Sequence, residues 1–139
     1  MNPGIIDTNI FVTALMRDSH TSECRSFLRM LEEGTAFARL DVLVVHELTY
    51  SLPRSAKMSK PAIVSYLNEI LTWPGIIADK STLLAAIQTW SRTASLSFVD
   101  AYLGTLAKMD GCEIYTKNIK DFVPQGVTTP VRLPGTENT

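Results

Sequence analysis

A chain of 139 residues, 45% of them hydrophobic, is long enough for one compact domain with a core and too short for two of ordinary size. Thirteen Lys and Arg against fourteen Asp and Glu give a formal net charge of -1. This charge excludes a strong overall electrostatic field that would attract nucleic acid. A polyanionic partner would have to bind a local patch of positive charge.

The two cysteines, Cys24 and Cys112, lack the spacing of metal ligands or redox pairs, and their number does not indicate a disulfide framework. The sequence has no basic and apolar leader, and no apolar run approaches the roughly 18 residues that cross a bilayer. We therefore expect a soluble, cytoplasmic protein with no membrane partner.

In the first half of the chain, a β-branched run, GIID (4–7), predicts a strand. It is followed by TSECRSFLRMLEEG (21–34), where apolar residues recur at helical spacing and Gly34 stands where a helix ends. The run DVLVV (41–45) predicts a second strand. A second helix is predicted in KPAIVSYLNEILTWPG (60–75), with Pro61 near its start and Pro74 at its end.

In the second half, DKSTLLAAIQTW (79–90) predicts a helix with Asp79 as its N-cap. SFVDAYLGTLAKMDG (97–111) predicts another, ended by Gly111, and CEIYT (112–116) predicts the last strand. Apolar strands separated by helices indicate an α/β fold of three layers, α/β/α, with a central parallel sheet flanked by helices. We assign residues 1–133 to a single domain and residues 134–139 to a flexible tail.

Acidic and polar residues follow each predicted strand. Asp7 follows the apolar GII (4–6), Glu47 follows VLVV (42–45), and Asn118 and Asp121 follow EIYT (113–116). The carboxyl ends of parallel strands lie on one edge of the sheet, where such folds bind ligands. Asp100, in the first turn of the last long helix, is expected to open onto the same edge. The pattern therefore predicts a cluster of acidic groups.

A cluster of carboxylates needs a counterion, because two unit charges 4 Å apart repel by about 4 kcal/mol at an effective dielectric of 20. Oxygen ligands without His or Cys indicate Mg²⁺, with Mn²⁺ as a substitute. Such an ion polarises a phosphate and activates water near neutral pH. The predicted reaction is metal-assisted hydrolysis of a phosphodiester.

Three stretches and the total length resemble the PIN-domain family, and specifically the single-domain VapC toxins of prokaryotic toxin–antitoxin pairs. The stretches are IIDTNIFV (5–12), VVHELTYSL (44–52) and LSFVDAYLGTLAKMDGCEIYTKNIKDF (96–122). The resemblance implies a PIN-like fold and a Mg²⁺-dependent endoribonuclease, usually a homodimer, that is held inactive by a cognate antitoxin. The alternative is a housekeeping or degenerate PIN-domain protein that binds RNA without a toxin role.

By position, the family's first aspartate falls on Asp7, its glutamate on Glu47 and its helix-borne aspartate on Asp100. The resemblance makes Asp7 and Asp100 metal ligands, and it leaves the last site residue open between Asn118 and Asp121. The family's polar residues around the site correspond to Thr8, Asn9 and Thr116.

Each acid also has a structural interpretation. Ser97-x-x-Asp100 is a capping box, Asp7 is placed to cap the next helix, and an acid such as Asp121 before Phe is common in loops. A phosphatase of the haloacid-dehalogenase type also begins with a strand ending in Asp, but it needs a second aspartate where this chain has Asn9. We expect surface or packing roles for the two histidines, His20 and His46.

Substrate contact needs positive charge, which PRSAKMSK (53–60) concentrates in one connection between helices. We expect its Arg54, Lys57 and Lys60 to contact RNA phosphates. Lys117 and Lys120 flank the last site residue and are expected to do the same. The alternative for each is an ordinary solvated loop.

Overall fold

The computed structural model describes residues 2–135, and the chain divides between Leu84 and Ala85 into two units. No helix in residues 2–135 is both long and apolar enough to span a bilayer. The single domain of residues 1–133 stays a prediction. The tail predicted at 134–139 lies outside the described residues from position 136 onward.

The first unit combines a parallel sheet with helices. Its strands are β1 (Gly4–Ile5), β2 (Ala38–Arg39) and β3 (Ile76–Ile77), in the order β1-β2-β3. Gly4 is in register with Ala38, and Ala38 with Ile76. Its helices are α1 (Thr8–Ala14), α2 (Thr21–Glu33), α3 (Val42–Ser55) and α4 (Lys60–Ile70), and α5 (Lys80–Arg92) crosses into the second unit. The predicted α/β class with a parallel sheet is confirmed, and the three-layer, PIN-like arrangement stays a prediction.

The core of the first unit forms where the helices pack together. α1 packs against α2 and α3, and α3 packs against α4. Phe11 of α1, Leu31 of α2, Leu48 of α3 and Ile63 of α4 are almost fully buried. Burial of this apolar surface stabilises the unit, since each such side chain contributes about 1.5–3 kcal/mol when removed from water.

The strand predicted at DVLVV is wrong, because these residues belong to α3. Asp41 caps this helix, and its Oδ2 accepts a hydrogen bond from the Leu43 backbone N–H at 2.9 Å. The buried residues of α3 recur every three or four positions, which is the period of a helix; they are Val44, Val45, Leu48, Thr49 and Leu52. Packing of this face outweighs the β preference of the valines. Glu47 therefore lies on a helix and does not follow a strand.

The strand predicted at CEIYT is also wrong, because residues 112–116 adopt no regular structure. The Ile114 N–H donates to the Thr128 carbonyl at 3.0 Å, but the described part of the second unit has no strand that would complete a ladder. Asn118 and Asp121 thus follow an irregular segment. The observed strands β2 and β3 were not predicted.

The helices of the second unit follow the sequence closely. α6 (Phe98–Asp110) begins after Ser97, whose Oγ accepts from the Asp100 N–H at 3.1 Å. It ends at Gly111, which adopts a left-handed φ of 62°. The short helix α7 (Ile119–Phe122) leads into a 3₁₀ turn (Val123–Gln125), and α7 packs against α6. The predicted helices at 21–34, 79–90 and 97–111 are confirmed, and the helix predicted at 60–75 is confirmed over Lys60–Ile70 but ends before Pro74.

Gly75 lies where β3 approaches the end of α2 too closely for a side chain. A Cβ at this position would lie 2.2 Å from the Ala36 carbonyl oxygen and 2.6 Å from that of Leu31, both in the backbone. We expect Gly75→Ala to lower the free energy of unfolding by about 1–3 kcal/mol, because backbone must move. Denaturant unfolding measures the loss.

Gly4→Ala is the matched control, since a Cβ on Gly4 would meet nothing within 4 Å. Its stability should change by less than about 0.5 kcal/mol. Equal effects of the two substitutions would contradict the close approach at Gly75.

Asp79 caps α5 through two hydrogen bonds from Thr82. The Thr82 hydroxyl donates to Oδ2 at 2.7 Å and the Thr82 N–H to Oδ1 at 3.4 Å, and these bonds lower the pKa of the Asp79 carboxyl. A lowered pKa stabilises the fold above the unfolded value of about 3.9, and this contribution is lost as the pH falls through the folded value.

We therefore expect Asp79→Ala to destabilise the protein at neutral pH and the deficit to shrink below about pH 4. Thermal melts across this pH range measure the deficit. Asp79→Asn keeps a capping side chain but does not titrate, so its melting temperature relative to Asp79→Ala should not depend on pH in this way. A deficit of Asp79→Ala that stays constant down to pH 2 would refute the role of the carboxylate.

Candidate functional site

Asp7 lies at the turn from β1 into α1 and acts as the N-cap of that helix. Its backbone is extended, with φ −89° and ψ 155°, and its Oδ1 accepts from the Thr8 N–H at 2.8 Å. The side chain is exposed. The cap engages Oδ1, and a ligand in solvent is free to approach the rest of the carboxylate.

Thr8 joins this turn to α3. Its side chain is buried, and its Oγ1 donates to Oε2 of the exposed Glu47 at 2.5 Å, across 39 positions of sequence. A hydrogen bond to a charged acceptor contributes about 1.5–3 kcal/mol when well formed. Both predicted acids of the first unit therefore bind Thr8, one through its backbone and one through its hydroxyl.

Asn9, the next residue of α1, is exposed and lines a cavity on the surface of the first unit. This cavity, of about 400 Å³, is also lined by Thr13 of α1 and by Glu23 and Phe27 of α2. Asn9 thus lies on the side of α1 that faces α2, and the structure does not bring it to Glu47 through a hydrogen bond.

The second unit brings three predicted residues into one hydrogen-bonded group. The Thr116 Oγ1 accepts from the Asn118 N–H at 2.9 Å, and the Asn118 side-chain amide donates to Asp121 Oδ2. The two alternatives for the last site residue are therefore in direct contact. An amide that donates to a carboxylate fixes the orientation of that carboxylate.

Gln125 was not predicted, yet it ties this group to α6. Its Nε2 donates to the Asp121 carbonyl at 2.8 Å and to the Asp100 carbonyl at 3.3 Å. Gly104 makes room for it, because a Cβ there would lie 2.0 Å from the Gln125 Oε1. A glutamine in a turn has no sequence signal that indicates such a contact. The half-buried Asp100 is in this way held near α7 within the second unit.

The cations of the 53–60 connection differ in their surroundings. Arg54 is exposed in the last turn of α3. It follows Glu47 by seven residues, which is two helical turns or about 10 Å along the axis, and therefore lies on the same face of the helix. Lys57 is exposed and adopts a left-handed φ of 55°. Lys60 is half-buried at the start of α4, and burial lowers the pKa of its amino group. Arg54 and Lys57 are the better placed for a polyanion.

The remaining cations and the histidines also have defined positions. Lys117 Nζ donates to the Val131 carbonyl at 3.4 Å, whereas Lys120 lines a cavity of the second unit. The ring of His46 contacts Tyr50 edge-on, with ring centroids 5.0 Å apart. His20 is exposed at the start of α2. The expectation of surface or packing roles for the two histidines stays a prediction.

The donor chemistry decides whether a metal fits. Within the described residues of either unit, no three His, Cys, Asp or Glu side chains are grouped so as to hold an ion by themselves. Mg²⁺ needs fewer, since it is commonly held by one or two carboxylates, with waters and substrate phosphate completing the octahedron. The exposed carboxylates of Asp7 and Glu47, bound to the same threonine, fit that requirement.

A scan against models of protein families found no match to this chain, and a search of curated proteins found no relative. The resemblance to PIN domains therefore depends on the residues quoted from the sequence.

The Thr8 to Glu47 hydrogen bond can be measured directly. Thr8→Val removes the donor while keeping the shape, and we expect the free energy of unfolding to fall by about 1 kcal/mol or more. A double-mutant cycle with Glu47→Ala should give a coupling energy of about 1 kcal/mol. The same cycle with Glu32→Ala, an exposed acid of α2, should give additive effects. Additivity in the Glu47 cycle as well would mean that the bond contributes nothing.

Proposed function

We propose that this protein is a Mg²⁺-dependent endoribonuclease and the toxin of a type II, VapBC-like toxin–antitoxin pair. The observation that carries the proposal is the hydrogen bond from buried Thr8 to exposed Glu47. It links the acid at the end of β1 to the acid on α3, two residues that the resemblance assigns to one site. An exposed acid without a role in a site would not need a hydrogen bond from a buried hydroxyl to fix its position.

The resemblance assigns the metal to Asp7 and Asp100. In the first unit Asp7 and Glu47 both bind Thr8, and in the second unit Asp121 accepts from Asn118. Thr8 holds one oxygen of Glu47, which leaves the other for a water ligand or a substrate water. Asn118 orients Asp121, and Gln125 holds its backbone. When bound, Mg²⁺, or Mn²⁺ in its place, supplies activation of water and stabilisation of the departing oxygen.

The substrate is RNA, and its phosphates need positive charge that the net charge of the chain does not supply. The exposed Arg54 on the Glu47 face of α3 is the first candidate contact, with Lys57 next to it in the chain. A homodimer and a cognate antitoxin are the partners that the resemblance adds to this proposal.

The second candidate function is RNA binding without cleavage. It is favoured by the cap that Asp7 makes for α1, which gives this carboxylate a structural role that needs no metal. The two functions differ in one measurable property. Only the nuclease requires a divalent cation and intact carboxylates to break RNA.

We expect the purified protein to cleave RNA with Mg²⁺ or Mn²⁺ and to stop when a chelator is added. Asp7→Asn, Glu47→Gln and Asp100→Asn should each lower the cleavage rate by about 100-fold or more, because each removes a carboxylate to which the resemblance gives a catalytic role. Electrophoresis of a labelled RNA measures the rate. Glu32→Gln removes an exposed charge of α2 and should cut like the wild type.

Measuring both the Mg²⁺ affinity and the melting temperature of each variant distinguishes the loss of a metal ligand from damage to the fold. Isothermal titration of Mg²⁺ should show weaker binding for Asp7→Asn and Asp100→Asn, with melting temperatures in chelator no lower than that of the wild type.

The toxin role has its own measurement, namely growth arrest on expression, relieved by coexpression of an antitoxin. Cleavage that survives both the chelator and the carboxylate substitutions would refute the nuclease.

A further inference from the structure

A cavity of about 470 Å³ in the second unit collects positive charge from three separate elements. Arg92 comes from the last turn of α5, Lys108 from the last turn of α6, and Lys120 from α7. A volume of this size is within the range of pockets that bind small ligands. We call it the cation cavity.

The rest of its lining suits an oxyanion. Hydroxyl groups come from Thr89, Thr93 and Ser95, although that of Thr93 already donates to the Thr89 carbonyl at 3.1 Å, and an apolar wall comes from Leu96 and Pro124. Hydroxyls and guanidinium groups are the side chains that most often accompany phosphate in proteins. The cavity therefore has donors of the type that phosphate oxygens accept from.

The charge balance of the cation cavity also favours an anion. Three cations line it against a single acid, Asp121, and one oxygen of that acid already accepts from Asn118. Cations that share a cavity repel one another, although weakly here because all three side chains are exposed to water. A bound phosphate removes that repulsion.

A purely structural interpretation explains only part of this arrangement. Arg92 and Lys108 lie in the last turns of their helices, where a positive charge interacts favourably with the helix dipole. Lys120 lies on a helix of four residues, and the hydroxyl lining has no relation to a dipole. A phosphate site accounts for the three cations and for the hydroxyls of Thr89 and Ser95 together.

We propose that the cation cavity binds a phosphate group of the RNA strand, with Arg92 and Lys108 as its principal ligands. The identity of the strand rests on the proposed function, whereas the phosphate chemistry rests on the lining alone. Asp121 and Gln125 belong both to this lining and to the hydrogen-bonded group that includes Asn118. A phosphate held here would position the strand beside Asp121.

The experiment measures the affinity of the full-length protein for a short single-stranded RNA, in chelator so that no cleavage occurs. Arg92→Gln and Lys108→Gln should each weaken binding roughly threefold to tenfold and lower the slope of log affinity against log salt by about 0.7. Arg92→Lys keeps the charge and should retain the salt slope. Asp121→Asn removes the acid of the cavity and should bind RNA more tightly than the wild type.

Arg29→Gln is the matched control, since it removes an exposed arginine from α2 in the first unit. It should leave both the affinity and the slope unchanged. Melting temperatures of all variants in chelator show whether any loss of affinity comes from unfolding. Inorganic phosphate, tested alone by its effect on the melting temperature, should stabilise the wild type more than Arg92→Gln.

The outcomes distinguish this inference from the nuclease proposal. RNA binding that depends on Arg92 and Lys108 supports the cation cavity even if no condition gives cleavage. Cleavage by the wild type together with unchanged affinity in both variants overturns the cavity and leaves the nuclease. Stabilisation by inorganic phosphate without RNA binding overturns the RNA strand as the source of the phosphate, and an equal loss in Arg29→Gln overturns the specific site.

Discussion

The buried hydroxyl of Thr8 is the constraint on which the candidate site of the first unit depends. A buried donor without a partner costs about 1–3 kcal/mol, so the chain must place an acceptor beside it. That acceptor is Glu47, which comes from a helix more than thirty residues later in the chain. Because α1 starts at Thr8 and Asp7 caps it, the position of α3 against α1 also fixes the distance between the two acids. Packing and site geometry are therefore set by the same contact.

The sequence predicts the helices of this protein better than its strands, for a physical reason. A helix of eleven or thirteen residues repeats its buried face several times, as α2 and α4 do, and its caps add further signals. The strands are two residues long, too short for any alternation to appear. Residues 42–45 belong to a helix, because the buried Val44 and Val45 continue at helical spacing into the rest of the buried face of α3. Their β-branched side chains are typical of strands, and for that reason the sequence predicted a strand there. Residues 112–116 have strand composition without a strand partner in the described part of their unit.

The candidate site was predictable to the extent that its residues are close in sequence. Asp7 with Thr8, and Asn118 with Asp121, are neighbours that local geometry brings together, and the structure shows these contacts. The bond from Thr8 to Glu47 depends on how α1 packs against α3, and no local pattern indicates it. Gln125 was missed for a related reason, since its partners are backbone carbonyls that every residue has.

Capping and metal binding are not exclusive roles for an acid at the start of a helix. Asp7 accepts from the Thr8 N–H through Oδ1, and Asn caps a helix about as well as Asp does. Asp7→Asn therefore keeps the cap and loses the charge, whereas Asp7→Ala loses both. At Asp100 the roles are already divided, because the hydroxyl of Ser97 accepts from the Asp100 N–H and provides the cap. The carboxylate of Asp100 is not needed for that bond, so the cap alone does not explain why an acid stands there.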